Sequence, residues 1–415
     1  MTPILPTRSH PLSYRRPVTL LALTLVACLA APVPIPSQIV ALDPDKAGQD
    51  FPIQGEYLGR IDASGPALAA QVIANGNGKF TAVFLTGGLP GAGWDGSSRT
   101  EVQGALQSTQ AVFSGTAYSG NIPLDGKVFS GQTAAGGKFT LEKTNRESPT
   151  LNLPPPTGAV VLFNGTDVSA WVPGTATMDS RKLMLPSGAS SSAGATTVKS
   201  FRNFTLHLEF REPFMPEAVH QRRGNSGIYL QGRYEVQILD SFGKPITGEG
   251  ALLDSTRICG AFWEMLRPSL NMCLPPLSWQ TYDIDFKEAV WDAAGKQRVE
   301  LATATVRFNG QIIHEKARLV NSTLAGDPNT PAAGPLRFQA YGDPVYYRNI
   351  WIVENNGAGV RPIRQRVPRN KFSSGRLQGA RFSGLALSGR KVDGAPASGY
   401  YLPLDRAWAA PRVIW

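Results

Sequence analysis

Histidine and cysteine are scarce in this chain, four and three among 415 residues, and no histidine lies between or close to Cys259 and Cys273. That scarcity leaves no recognisable zinc motif and no cysteine beside a histidine that could activate it as a nucleophile. Long amphipathic helical patterns are missing too. The apolar run at residues 18–27 is too short to be a good bilayer span, which takes about 20 residues. The net charge of +10 is not spread over the chain. Residues 356–415 hold eleven Lys and Arg (Arg361, Arg364, Arg366, Arg369, Lys371, Arg376, Arg381, Arg390, Lys391, Arg406 and Arg412) against Asp393 and Asp405, a net +9. Everything before them is nearly neutral, so the basic balance does not indicate a nucleic-acid site on the folded part.

What is abundant is turn chemistry. With 43 Gly and 33 Pro separating short runs of valine, threonine and aromatics, the composition predicts a mainly β protein. The length suggests two domains at about 100–200 residues each, plus appendages. Residues 1–30 resemble an export signal, with Arg15 and Arg16 ahead of the apolar run and small residues after it. Leu25-Val26-Ala27-Cys28 resembles a lipobox that would lipidate Cys28, and ordinary cleavage near Ala30 is the competing reading. In either case the expected location is the periplasm or cell envelope, with membrane contact only through such an anchor. In an oxidising compartment, Cys259 and Cys273 are expected to form a disulfide.

Residues 43–148 predict a small antiparallel β domain, with strands at 55–61, 68–73, 79–85, 100–106, 110–116 and 138–143. Its loop at residues 91–96 sets Trp94 beside Asp95, which reads either as a Trp packed over a glycine turn or as a sugar-stacking site. Pro154-Pro155-Pro156 marks a stiff linker at 149–157. Residues 158–355 predict a second antiparallel domain, a sandwich or jelly roll, in which Asn309-Gly310 is the strongest hairpin signal. The tail at 356–415 is expected to be largely flexible.

Polar side chains punctuate one stretch where a strand would usually be apolar. From Tyr229 the chain alternates, with Tyr229, Gln231, Arg233, Glu235 and Gln237 on one face and Leu230, Tyr234, Val236 and Ile238 on the other. The polar face is either a half-exposed strand surface or a site. Arg337, Gln339 and Tyr341 alternate in the same way on a second predicted strand.

The second domain resembles the 3-keto-disaccharide hydrolase family, also described as 3-keto-glucoside lyases and 3-keto-2-hydroxyglucal hydratases. The likeness is carried by Leu162-Phe163-Asn164-Gly165-Thr166-Asp167 with Trp171, Gly224-Asn225-Ser226-Gly227-Ile228-Tyr229-Leu230 and Tyr234-Glu235-Val236-Gln237-Ile238-Leu239-Asp240-Ser241. It continues through Trp279-Gln280-Thr281-Tyr282-Asp283, Phe308-Asn309-Gly310, Gly334-Pro335-Leu336-Arg337-Phe338-Gln339 and Arg348-Asn349-Ile350-Trp351. The resemblance implies a concanavalin-like jelly roll acting on a sugar oxidised at C3. Such a ketone acidifies the C2 proton, so a base can remove it, the C1 substituent can leave, and water can add back. The candidate catalytic residues are Glu235, Asp240 and Tyr341. Those for substrate binding are Asn225, Tyr229, Arg233, Gln237, Gln339 and Arg348. Glu235 with Arg233 also reads as a structural ion pair, and Asp240 as a turn cap.

Many relatives carry an Asp-His pair where this chain has Ala340 and Tyr341. No cofactor is evident, although a divalent metal bound by carboxylates would leave little trace. The expected partners are a 3-keto sugar or glycoside and an oxidoreductase that supplies it. The competing reading is a carbohydrate-binding jelly roll without turnover.

Overall fold

The computed structural model describes residues 39–246 and 255–355. The expected export signal, Cys28 and the basic tail lie outside the described residues. Eight antiparallel strands close into a barrel: β1 (Gly55–Ile61), β2 (Ala67–Ala74), β3 (Lys79–Thr86), β4 (Arg99–Gln107), β5 (Gln110–Ser114), β6 (Tyr118–Pro123), β7 (Val128–Thr133) and β8 (Lys138–Thr144). Phe84, Phe113, Phe129 and Phe139 fill its centre, with ring centroids 4.9–5.5 Å apart for the contacting pairs Phe84–Phe129, Phe84–Phe139, Phe113–Phe129 and Phe129–Phe139. The interior is therefore a core and not a binding lumen.

The strands of the second domain are β9 (Val160–Phe163), β10 (Ala176–Met178), β11 (Met184–Pro186), β12 (Ser190–Phe201), β13 (Phe204–Arg211), β14 (Ser226–Leu230) and β15 (Tyr234–Ile238). They continue with β16 (Gln280–Lys287), β17 (Val290–Trp291), β18 (Arg298–Glu300), β19 (Ala302–Phe308), β20 (Gln311–Leu319), β21 (Gly334–Ala340) and β22 (Tyr346–Glu354). One sheet runs β10-β11-β22-β13-β16-β19-β20, with β9 also on β22, and a four-stranded sheet runs β12-β21-β14-β15. Between them lies a core that includes Leu206, Leu208 and Phe210 from one sheet and Ile228, Val236, Ile238 and Phe338 from the other. This is the sandwich that the alternation predicts.

Barrel and sandwich pack as one compact unit. In β2 and β3 the residues at even positions, such as Leu68, Val72, Phe80 and Phe84, face the barrel interior, whereas Ala69, Ile73, Val83 and Leu85 join the sandwich core. Two buried faces explain why these strands are apolar almost throughout. The segment after β8 does not stand off as a spacer. Thr150 donates to Asp283, Asn152 N–H donates to Glu209, and the Leu153 carbonyl accepts from Trp351 Nε1. Trp94 is packed over its turn, with Nε1 donating to the Ser98 carbonyl at 2.8 Å, as the plainer reading of that loop predicts.

Two local expectations are corrected. The single alternating strand expected from Tyr229 onward is the β14–β15 hairpin, turned by Gln231 and Gly232 at φ 53° and 70°. Left-handed backbone there suits a tight hairpin and excludes a continuous strand. Cys259 and Cys273 are free buried thiols and not a disulfide, each 3.8 Å from an oxygen of the Glu212 carboxyl.

Candidate active site

The hairpin loop holds three residues, Gln231 to Arg233, so facing partners keep the same parity and the polar alternation survives the turn. Tyr229 pairs with Glu235 and Gly227 with Gln237, all on the face turned away from the core. The neighbouring β21 pairs Phe338 with Ile228, which sends Gln339 to the same outer face. Together with loop residues these side chains enclose a cavity of about 180 Å³ lined by Gln221, Asn225, Tyr229, Glu235, Gln237, Trp263, Leu324, Gln339 and Tyr341.

Glu235 is only 3% exposed, and burial pushes its carboxyl up to about 8 against the hydrogen bond from Tyr229 and the charge of Arg337, which lower it. Tyr229 Oη lies 2.8 Å from Glu235 Oε2 and 3.1 Å from the Leu324 carbonyl, and Gln339 Nε2 donates to it at 3.3 Å. One hydroxyl proton thus has two acceptors. When Glu235 is ionised the phenol donates to it; when Glu235 is protonated the phenol can donate to Leu324 and accept from the carboxyl. Arg337 stacks 4.0 Å from the centroid of the Tyr229 ring and fixes its plane.

Room for the carboxyl comes from Gly227. A Cβ there would lie 2.1 Å from Glu235 Oε1. Because Gly227 is not among the residues with positive φ, Gly227→Ala is expected to leave the hairpin folded while displacing the carboxyl. Activity should fall by about 100-fold, the scale of a misplaced reacting group, with a thermal midpoint close to wild type; comparing kcat with the melting curve checks both.

Two amides beside Glu235 are oriented by Gln221. Its Oε1 accepts from Gln237 Nε2 at 2.9 Å and from Asn225 Nδ2 at 3.2 Å, while Asn225 N–H donates to Asp343 at 2.7 Å. This leaves Gln237 Oε1 and Asn225 Oδ1 buried without a protein donor. An unmet buried acceptor costs about 1–3 kcal/mol. Both are acceptors that sugar hydroxyls can satisfy, beside Trp263 and the 43%-exposed Tyr341, whose rings can stack on a sugar face.

Among the candidates read from sequence, the cavity brings together Glu235, Tyr341, Asn225, Tyr229, Gln237 and Gln339. Asp240 lies beyond the end of β15, outside this cavity, and is paired with Arg223 at 2.6 Å. Arg233 sits in the hairpin turn, where it donates to Gln231, Thr330 and the carbonyls of Pro328 and Ala332. Arg348 belongs to the other sheet, bonded to Glu209 and stacked on Trp279. Nothing in the sequence marks Gln221, which lies in the 3₁₀ turn His220–Arg222, or Trp263 and Leu324, which come from loops. Among the described residues the cavity offers Glu235 as its only carboxylate beside amides and phenols, a set that does not fit a divalent ion held by carboxylates.

Residues 158–353 match the profile of the 3-keto-alpha-glucoside-1,2-lyase-like domain. The chain belongs to this family. Membership makes it a carbohydrate-active protein of the lyase or hydrolase type. Two crystal structures from Parabacteroides distasonis ATCC 8503, each provisionally described as a glycosyl hydrolase, are similar to it. One is 30% identical over 48% of this chain and 85% of its own, with a TM-score of 0.41. The other is 19% identical over 51% of this chain and 99% of its own, with a TM-score of 0.35. No curated protein matches. Against the family pattern, the position of the expected histidine is Tyr341 on the cavity rim.

Proposed function

We propose that the chain cleaves 3-keto-glycosides by elimination and then hydrates the resulting 3-keto-2-hydroxyglucal, with Glu235 moving the C2 proton in both steps. The observation that carries this reading is a buried carboxyl held near pH 8 beside two unmet acceptors. A carboxylate with so high a pKa is a stronger base than a solvated one, and its acid form persists at neutral pH. In the elimination, Glu235 takes the proton from C2 and the C1–O bond breaks, with Tyr341 as the rim hydroxyl available to the departing oxygen. In the hydration, water adds its oxygen at C1 and gives up a proton to the Tyr341 oxygen, restoring the one given to the leaving group, while the Glu235 proton returns to C2. Asn225 and Gln237 would accept hydroxyl protons of the sugar, and Trp263 would cover its face. The reading extends to export by residues 1–30, with Cys28 as a lipid anchor, and to an oxidoreductase that makes the 3-keto substrate.

The test is release of chromophore from a chromogenic 3-keto-glucoside beside the unoxidised glucoside. Turnover of the keto compound alone supports the reading. Saturable binding of it without turnover would favour a carbohydrate-binding protein, the reading to which Ala340 and Tyr341 lend weight.

The two steps need opposite forms of Glu235, so their pH dependences should be opposed. The kcat/KM for elimination is expected to rise with pH and level off above about 8, while that for hydration falls through the same value. Tyr229→Phe removes a hydrogen bond that favours the ionised carboxyl, so both inflections should move to higher pH. Profiles of the two half-reactions in wild type and variant check the sign.

A further inference from the structure

A second polar cluster lies on the core side of β15, away from the cavity. Glu212, Cys259 and Cys273 come from three separate chain segments, and their ligand atoms all lie within 4.8 Å of one another. Cys259 Sγ is 3.8 Å from Glu212 Oε1 and Cys273 Sγ is 3.8 Å from Oε2. All three residues are buried, at 0–1% exposure. Among the described residues no Lys, Arg or His pairs with Glu212; besides the thiols, the side-chain donor to its carboxyl is Gln280 Nε2 at 2.9 Å. As an anion, a carboxyl in an apolar core without a cation is expensive to bury, so a bound cation is one way to keep it ionised there.

We propose that Glu212, Cys259 and Cys273 form a structural site for a thiophilic divalent cation, zinc. Two sulfurs and one carboxylate are donors of the kind that zinc takes in closed, buried sites, whereas calcium and magnesium want oxygen alone. The Tyr282 hydroxyl, 3.2 Å from Cys259 Sγ, and the Leu239 carbonyl, 3.7 Å from Cys273 Sγ, are the oxygens at hand for a fourth position. As the metal–ligand bonds form, the thiol and carboxyl protons pass to solvent.

The site would fasten the back of the catalytic strand. Tyr282 also donates to the Gln237 carbonyl at 2.8 Å. The segment just after Cys259 pairs with β15 through Gly260, Ala261 and Trp263, and Trp263 is a wall of the cavity. The ion would therefore hold three chain segments behind Glu235 and Gln237 without touching the sugar. The spacing of the two cysteines carries no hint of this, because the third ligand lies 47 residues before the first cysteine.

The test uses the full chain, unfolded with chelator and reductant and refolded with zinc sulfate or cobalt chloride. Retention of one zinc per chain through gel filtration, with a sulfur-to-cobalt charge-transfer band in the near ultraviolet, is the expected result. Cys273→Ser and Glu212→Gln should weaken zinc binding by more than about 100-fold, the upper end of what loss of a supporting group costs. Should those variants not fold, the cobalt spectrum and the zinc-dependent rise in melting temperature of the wild type still decide. Metal-free protein with two titratable thiols, or a Cys259–Cys273 disulfide found by mass spectrometry, would overturn the proposal.

Discussion

Glu235→Gln is expected to lower turnover of a 3-keto-glucoside by about 10²–10⁴-fold, the range that a lost general acid or base costs, while the hairpin and its cavity persist. Glutamine keeps the shape of the side chain and an acceptor for Tyr229 but cannot move a proton. The same change has a stability signature. Because the folded carboxyl is raised to about 8 from an ordinary 4.5, the stability that comes from holding it neutral is complete below about pH 4.5 and is lost as pH rises through about 8. At pH 9 the ionised wild type bears a cost on the order of 5 kcal/mol by linkage at 1.36 kcal/mol per unit, and glutamine escapes it. The variant should therefore melt higher than wild type at pH 9 and close to it at pH 4. Calorimetry at both values, alongside the kinetics, separates loss of chemistry from loss of fold.

Arg223→Met is expected to be the most destabilising single change near the site while sparing the chemistry. Arg223 Nε donates to Asp240 at 2.6 Å, and its terminal nitrogens donate to the carbonyls of Pro216 and Ala74, the latter at the end of barrel strand β2. Removing it leaves the Asp240 carboxylate, 4% exposed, without its guanidinium partner and with the Phe242 amide as a donor among the described residues. Breaking one side of such a buried pair costs about 3–5 kcal/mol, which in a domain of this size lowers the melting temperature by roughly 10 °C. Asp240→Asn in the same background should recover part of the loss. Below the melting transition, kcat should stay near wild type in both variants, since Asp240 lies outside the cavity; a collapse of kcat in Asp240→Asn alone would put that carboxylate back into the mechanism.

The face that carries Glu235 was legible from alternation, and for a reason that does not require one strand. An odd loop between β14 and β15 preserves parity, so Tyr229, Glu235 and Gln237 share a face although the chain reverses between them. Arg233 and Gln231 fit the same alternation but fall in the turn, where alternation has no meaning. Asp240 lies two residues past the end of β15, where the pattern also stops, and a spacing argument could not see that its charge is already matched by Arg223. Gln221 sits in the single 3₁₀ turn His220–Arg222, and Trp263 and Leu324 sit in loop turns, segments too short to leave a periodic trace. Strands β6, β7 and β12 escape a propensity reading because Ser, Gly and Ala dominate runs such as Ser190–Phe201. There the pairing is set by close backbone approach, as at Gly120, where a Cβ would lie 2.3 Å from the Ser130 carbonyl. The cysteines illustrate the same limit: their supposed compartment suggests a disulfide, and the carboxyl between them becomes visible only when the two sheets close.

The most direct test of proton transfer at C2 is NMR of a 3-keto-glucoside incubated with the protein in D₂O. Wild type should place deuterium at C2 of the recovered or hydrated sugar, and Glu235→Gln should leave the C2 proton in place over the same time. Cleavage of the glycoside with the C2 proton retained, or undiminished exchange in Glu235→Gln, would contradict Glu235 as the group that moves it.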